Sequence, residues 1–271
     1  MPALSETVSS STTLKGKIFY GLFGKLGAWI RRFTRNIDDL VYSDRWIFLS
    51  SGFAENAKSI FCSNVFPSRN MDKIGFIHNP IKINDAQAHT VSKEKIVLYV
   101  GRIVPWKRVN LLLDIWSRLK RKGCTDGWKF IVVGDGTDLQ DEKRYAQEIG
   151  CSDVIFTGFQ DPAEFYAKSQ IFVTTSASEG FGMVLVEAQV NGCVPVAFDS
   201  FASLHDIIAS GENGIIVRNN DLDEFASQLH NLMSNEQLRQ SLADNAMKSC
   251  RKFSVEKIAD QWEELVSELC D

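Results

Sequence analysis

A chain of 271 residues with 44% apolar and 24% charged side chains is long enough for one large or two modest domains, and could bury roughly three-quarters of its unfolded surface. Its formal net charge of −4 argues against a general nucleic-acid binder. The six cysteines form no Cys-x-x-Cys pair or metal-ligand spacing and fit a reducing cytoplasm, and no run of about 18 apolar residues could span a bilayer.

In chain order, residues 1–14 are rich in Ser and Thr without an apolar period and read as a mobile tail with no signal-peptide layout. Residues 15–35 hold six basic side chains and no acid, with Ile18, Phe19, Leu22, Phe23, Leu26, Trp29, Ile30 and Phe33 on one helical face. Such a basic amphipathic helix fits either an anionic membrane surface or a core-facing helix with a solvated basic side, and four glycines weaken it. Trp46–Ser50 reads as a buried strand, Phe53–Phe61 as a helix and Ile74–Ile77 as a short strand, before His78, Pro80 and a polar linker to Lys93. His78, beside this hinge, reads as structural or solvated.

A regular alternation follows. Strands are expected at 96–100, 130–133, 154–157, 171–174, 194–198 and 214–217, and helices at 109–122, 138–149, 162–168, 182–190 and 203–209. This order makes a doubly wound parallel α/β sheet, closed by three helical stretches at 221–233, 236–250 and 255–269.

The chemistry concentrates between Ile171 and Asp199. Glu179, Gly180, Phe181 and Gly182 form a turn after an apolar strand, and Met183 opens a short helix that is apolar on nearly every face yet carries Glu187. A buried Glu187 would need a partner. Two carboxylates suit sugar hydroxyls and the helix start suits phosphate, which together suggest a sugar nucleotide. Gly101, Arg102 and Lys107 lie in a Pro-containing loop after the first strand of the alternation, where two cations could clamp a diphosphate in the crevice that Glu179 faces. Gly134-Asp135-Gly136 fits either a close approach to ligand or a tight turn. Asp221-Leu222-Asp223 has the form of a metal-binding pair, but Glu224 three residues after Asp221 has capping-box spacing, and capping is the preferred reading.

These residues resemble the retaining glycosyltransferases of family 4, which have the GT-B fold of two facing Rossmann-like lobes. The likeness rests on Gly101, Arg102 and Lys107, on Glu179, Gly180, Phe181, Gly182 and Glu187, on Asn213-Gly214, and on Phe253-Ser254 before the last helix. It implies that Arg102 and Lys107 bind the donor diphosphate and stabilise its departure. Glu187 would accept from ribose, Glu179 would orient the donor sugar with help from the backbone of Gly180 to Met183, and Gly158-Phe159 would meet the base. Departure of the diphosphate would need no metal and no other cofactor.

The resemblance divides the chain into a tail (1–14), a partial N-terminal acceptor lobe and linker (15–90), a nucleotide-sugar-binding domain (91–253) and a last helix packing back on the first lobe (254–271). The glycine-rich first turn of that lobe and its usual histidine have no visible counterpart, and Ala202-Ser203 replaces a common glycine pair before Asp206. The expected protein is a cytoplasmic glycosyltransferase, peripheral on a membrane surface, acting on a glycan or lipid-linked acceptor. The alternative is a donor-binding subunit that needs a partner chain to complete the acceptor lobe.

Overall fold

The computed structural model describes residues 43–62, 68–83 and 92–270. The expected tail and the basic amphipathic helix at 15–35 lie outside the described residues. By its internal contacts the chain divides into two compact units, Met1–Trp46 with Lys58–Gly75, and Ile47–Ala57 with Phe76–Asp271. In the first, a 3-10 turn at Ser68–Lys73 places the Lys73 ammonium on the Ser43 carbonyl at 2.8 Å.

The described residues open with strand β1 (Trp46–Phe48), helix α1 (Ser51–Cys62) and strand β2 (Ile74–Phe76). The expectation of a buried strand at 46–50 is corrected: β1 is half-buried throughout and stops at Phe48, because Leu49 turns out to solvent. Its Phe48 carbonyl accepts from the Ile77 amide at 2.9 Å.

The main body of the second unit is a six-stranded sheet. Its strands are β3 (Ile96–Val100), β4 (Lys129–Val133), β5 (Ile155–Gly158), β6 (Ile171–Thr174), β7 (Val194–Asp199) and β8 (Ile215–Arg218). All pairings are parallel and the order is β5-β4-β3-β6-β7-β8. Parallel strands buried on both faces must be apolar on both, which is why they read as unbroken apolar runs. The period of two still sorts their side chains. Val97, Tyr99, Ile171 and Val173 enter one core, which also holds Trp116, Phe130 and Phe225, while Leu98, Phe172 and Ile131 enter the other with Leu185 and Phe253.

The connecting helices are α2 (Val109–Arg121), α3 (Leu139–Glu148), α4 (Ala163–Lys168), α5 (Met183–Val190) and α6 (Leu204–Ile207). Helices α7 (Leu222–Ser234), α8 (Glu236–Ser249) and α9 (Val255–Cys270) complete the chain. Helix α6 is shorter than the expected span of 203–209. Ile208 turns extended at its end, and the Asn213 side chain takes the Ala209 amide at 2.7 Å and donates to the Ile207 carbonyl at 3.1 Å, ending the helix by substituting a loop closure.

Because β3, β4 and β5 run outward in one direction and β6, β7 and β8 in the other, the order reverses between β3 and β6. An open parallel sheet leaves a crevice beyond the carboxyl ends of such a strand pair, since the following loops diverge there. At the opposite edge Lys93 fastens the start of β3: its ammonium donates to the carbonyls of Tyr166, Ser169 and Asn191 at 3.0, 2.7 and 2.5 Å.

Among the described residues, one carboxyl side chain is buried. Glu142, in the first turn of α3, is 8% exposed; Oε1 accepts from the Asn110 amide at 3.1 Å and Oε2 has no partner. Burial pushes its pKa up to about 7, partly opposed by the Asn110 hydrogen bond and reinforced by neighbouring Asp138, Asp114 and Asp141. The folded chain thus holds this proton more tightly than the unfolded chain, so the stability it confers is complete below the ordinary carboxyl range and is lost as pH rises to about 7. Glu142→Gln should therefore be more stable than the parent at pH 8, by about 1–3 kcal/mol, with the gain vanishing toward pH 5. Equal gains at both pH values would remove the ionisation from the explanation.

Candidate active site

The two loops that flank the reversal carry the candidate side chains. After β3 the chain passes through Gly101 and Arg102 into a 3-10 turn at Pro105–Lys107. The Tyr99 hydroxyl, buried in β3, donates to the Arg102 carbonyl at 3.0 Å and fixes the start of this loop; burial, with Glu179 and Glu142 nearby, drives the phenol far above its usual range. Arg102 itself is exposed, its guanidinium carbon 5.5 Å from the Trp106 ring centroid. That geometry is a cation–π contact.

β6 ends on the buried Thr174, and after it come the buried Thr175 and Ser176, and then Glu179. The Lys107 ammonium donates to Glu179 Oε1, and both side chains are 13% exposed. An ion pair so far from water is costly to form, and removing either member strands the other. The turn then runs through Gly180, Phe181 and Gly182 into α5. Phe181 is buried, its carbonyl accepting from Ser203 Oγ at 2.7 Å, and Gly182 caps α5 at φ +100, a left-handed conformation that a side chain would strain. Met183 is the first helical residue.

Glu187 is half-buried, a correction to the expected fully buried carboxylate. It has a partner inside the fold: the Tyr166 hydroxyl donates to Oε2 at 3.0 Å. Burial and then the charge and hydrogen bond of Glu187 raise the Tyr166 pKa well above its usual value, so the phenol stays a donor.

Gly134 directly follows β4 and meets its neighbours closely. A Cβ there would lie 1.9 Å from the Gly101 carbonyl oxygen, and one at Gly136 would lie 2.1 Å from that of Ile103. The Gly101 amide donates to Val133 at 3.0 Å and the Ile103 amide to Asp135 at 2.9 Å. These glycines therefore let the loops after β3 and β4 run backbone against backbone. The Gly134 amide also donates to the Gly158 carbonyl at 2.9 Å, and Phe159 beyond it is 86% exposed.

Asp221 caps α7 by accepting from the Glu224 amide at 2.9 Å and pairs with Arg218 at 2.5 Å, which together hold its carboxyl below the usual range. Asp223 instead turns out to Arg118. No group of three or more His, Cys, Asp or Glu side chains is placed to share a metal ion among the described residues.

A cluster that sequence reasoning passed over lies close by. Asp206 Oδ2 accepts from the Ser51 amide at 2.7 Å and lies 3.2 Å from His78 Nε2, while Oδ1 accepts from Ser51 Oγ. The His78 ring packs on Phe181, Phe253 and Phe76 at centroid distances of 5.5, 5.1 and 5.2 Å. His78, which stands alone in the sequence, thus has a definite partner in Asp206. Separations of 155 and 128 residues leave no local spacing from which the pairing could be read.

The profile of the family "Glycosyl transferases group 1" matches residues 81–249, well over half of the chain. The chain belongs to this family. A glycosyltransferase of amylovoran biosynthesis, AmsD of Erwinia amylovora, is 29% identical over 214 residues, covering 76% of this chain and 59% of that relative. A lipopolysaccharide 1,6-galactosyltransferase of Salmonella typhimurium is 28% identical over 74% of the chain and 56% of its own length. The chain thus spans little more than half the length of these relatives. Among solved structures, S. aureus TarM bound to UDP, fondaparinux and an α-GlcNAc-glycerol superposes with a TM-score of 0.74 at 25% identity, over 84% of this chain and 45% of that one. Anabaena HepE with UDP-glucose shares the fold at a TM-score of 0.70 and 18% identity, over 97% of this chain and 81% of that one. The chain therefore shares the GT-B glycosyltransferase fold of these structures, and its doubly wound sheet agrees with it.

Proposed function

We propose that the chain transfers a sugar from a nucleotide-diphosphate sugar to a glycan or lipid-linked acceptor, with retained configuration and without a metal. The observation that carries this reading is the Lys107–Glu179 pair at the reversal between β3 and β6. It sets a cation and a carboxylate side by side, where a diphosphate and the sugar it carries would need one each. In the mechanism, Lys107 takes up the charge that develops on the departing diphosphate, an electrostatic role that is strongest where water is excluded, and Arg102 adds its charge from the exposed start of the same loop. Glu179 releases Lys107 to the phosphates and accepts from the sugar hydroxyls, with Gly180 to Met183 closing around the sugar. Glu187 holds the ribose hydroxyls while Tyr166 keeps its second face anchored, and Gly158 and Phe159 meet the base. Residues 15–35 would bring the chain to an anionic membrane surface.

Release of nucleoside diphosphate from a panel of nucleotide sugars, measured with the purified chain and with added polysaccharide or lipid-linked oligosaccharide, tests the reading. Accumulation of one diphosphate is expected; binding of none of the panel by calorimetry would overturn it. Glu187→Ala should weaken UDP, or the accepted diphosphate, roughly tenfold with little change in turnover at saturation, because a ribose contact is equal in ground and transition states. Unchanged affinity would remove that role from Glu187.

A further inference from the structure

Among the described residues, two that are not glycine have left-handed backbone: Arg108 at φ +52 and Asn220 at φ +65. They are bonded to each other, Arg108 Nη1 donating to Asn220 Oδ1 at 2.9 Å. Such a conformation costs a residue with a side chain of order 1 kcal/mol and persists only where the surroundings hold it. Both sit at the carboxyl edge of the sheet, Arg108 directly after Lys107 and Asn220 two residues after β8.

The Arg108 guanidinium is fully engaged. Nε donates to the Thr175 carbonyl at 2.5 Å, Nη2 to Ser176 at 3.2 Å and to Asn219 Oδ1 at 3.2 Å, and Nη1 reaches Asn219 at 3.3 Å besides Asn220. Its guanidinium carbon lies 5.7 Å from the ring centroid of Phe198 in β7. The backbone beside it is tied just as closely. The Trp106 carbonyl accepts from the Ala177 amide at 2.7 Å, and Thr175 Oγ1 reaches the Lys107 and Arg108 carbonyls at 3.3 and 2.8 Å. Three successive carbonyls are thus held by the segment that leads to Glu179.

We infer that Arg108 is a positioning residue: its left-handed turn and five-point grip on the loops after β6 and β8 hold Lys107 against Glu179. The turn at Arg108 sends adjacent side chains opposite ways, Lys107 into the crevice and Arg108 along the sheet edge. A lysine could not replace it, since one ammonium cannot meet four acceptors spread over two loops. The inference rests on the proposed role of Lys107, so its test separates the two.

Arg108→Gly keeps the backbone conformation, which glycine adopts freely, and removes only the grip. The test is a double-mutant cycle of Arg108→Gly with Lys107→Ala in the full chain, read by diphosphate release from whichever nucleotide sugar the panel identifies and by UDP affinity in calorimetry. Arg108→Gly alone should slow release roughly tenfold, weaken UDP about threefold and leave Tm within a few degrees. In the Lys107→Ala background it should change either quantity by less than about twofold. Asn220→Gly, which keeps its own left-handed turn and loses one acceptor, should show a smaller loss in the same direction. Equal losses with and without Lys107, or a fall in Tm with kinetics unchanged, would make Arg108 a brace of the fold and overturn the inference. If Lys107→Ala alone left both readouts unchanged, the functional reading would fall first and the role of Arg108 with it.

Discussion

Lys107→Ala should lower turnover of the accepted nucleotide sugar by about 100-fold or more while weakening UDP by no more than about tenfold. The asymmetry follows from when charge appears. In the bound donor the diphosphate shares its charge with the sugar ester bond, and Lys107 can remain partly engaged with Glu179. As the bond breaks the charge grows, and an ammonium 13% exposed meets it with little water to screen the attraction. Groups worth more in the transition state than in the ground state act on turnover more than on affinity. The substitution has a second effect, because Glu179 is left without its cation in a crevice that gives it little solvent. Lys107→Met, which restores packing but not charge, should be as slow as the alanine variant. Equal losses in turnover and affinity would show that Lys107 binds the donor without favouring its cleavage.

Gly134→Ala should be strongly destabilising, at about 3 kcal/mol or more. Its Cβ would be placed 1.9 Å from the Gly101 carbonyl oxygen, a backbone atom that no rotamer can move aside, at φ +143 where a side chain is already strained. Relief would require the loops after β3 and β4 to part, which would break the 3.0 Å bond from the Gly101 amide to Val133 and the 2.9 Å bond from the Gly134 amide to Gly158. For a domain of this size the loss corresponds to a fall in Tm of about 10 °C. Any folded fraction should also bind UDP more weakly, since Arg102 lies next to the displaced residue. A variant melting within about 2 °C of the parent would show that these loops are not packed as described.

The sheet was largely legible because parallel strands covered on both faces must be apolar throughout. Runs such as Ile96–Val100 and Ile171–Thr174 are marked by that requirement alone. Helix ends were legible where the cap is local, as at Asp221, and not where a distant side chain closes the loop, as Asn213 does after α6. The candidate residues on turns could be named from local order, Glu179 and Gly182 among them. What holds them could not. Tyr166 meets Glu187 across 21 residues, Arg108 meets Asn220 across 112, and Ser51 and His78 reach Asp206 from the far end of the chain. Such contacts are set by which strands lie side by side, and local periodicity carries no record of that order. Burial of β1 was overestimated for the same reason, since an apolar run does not disclose whether anything covers it.

At rest the Lys107 ammonium and the Glu179 carboxylate satisfy one another, so the crevice is quenched. A free phosphate or a stray cation that captures one member must orphan the other, and gains little by the exchange. A visitor offering an anion and a set of hydroxyls in a single body can replace both halves at once, which turns a stabilising contact into a two-key lock.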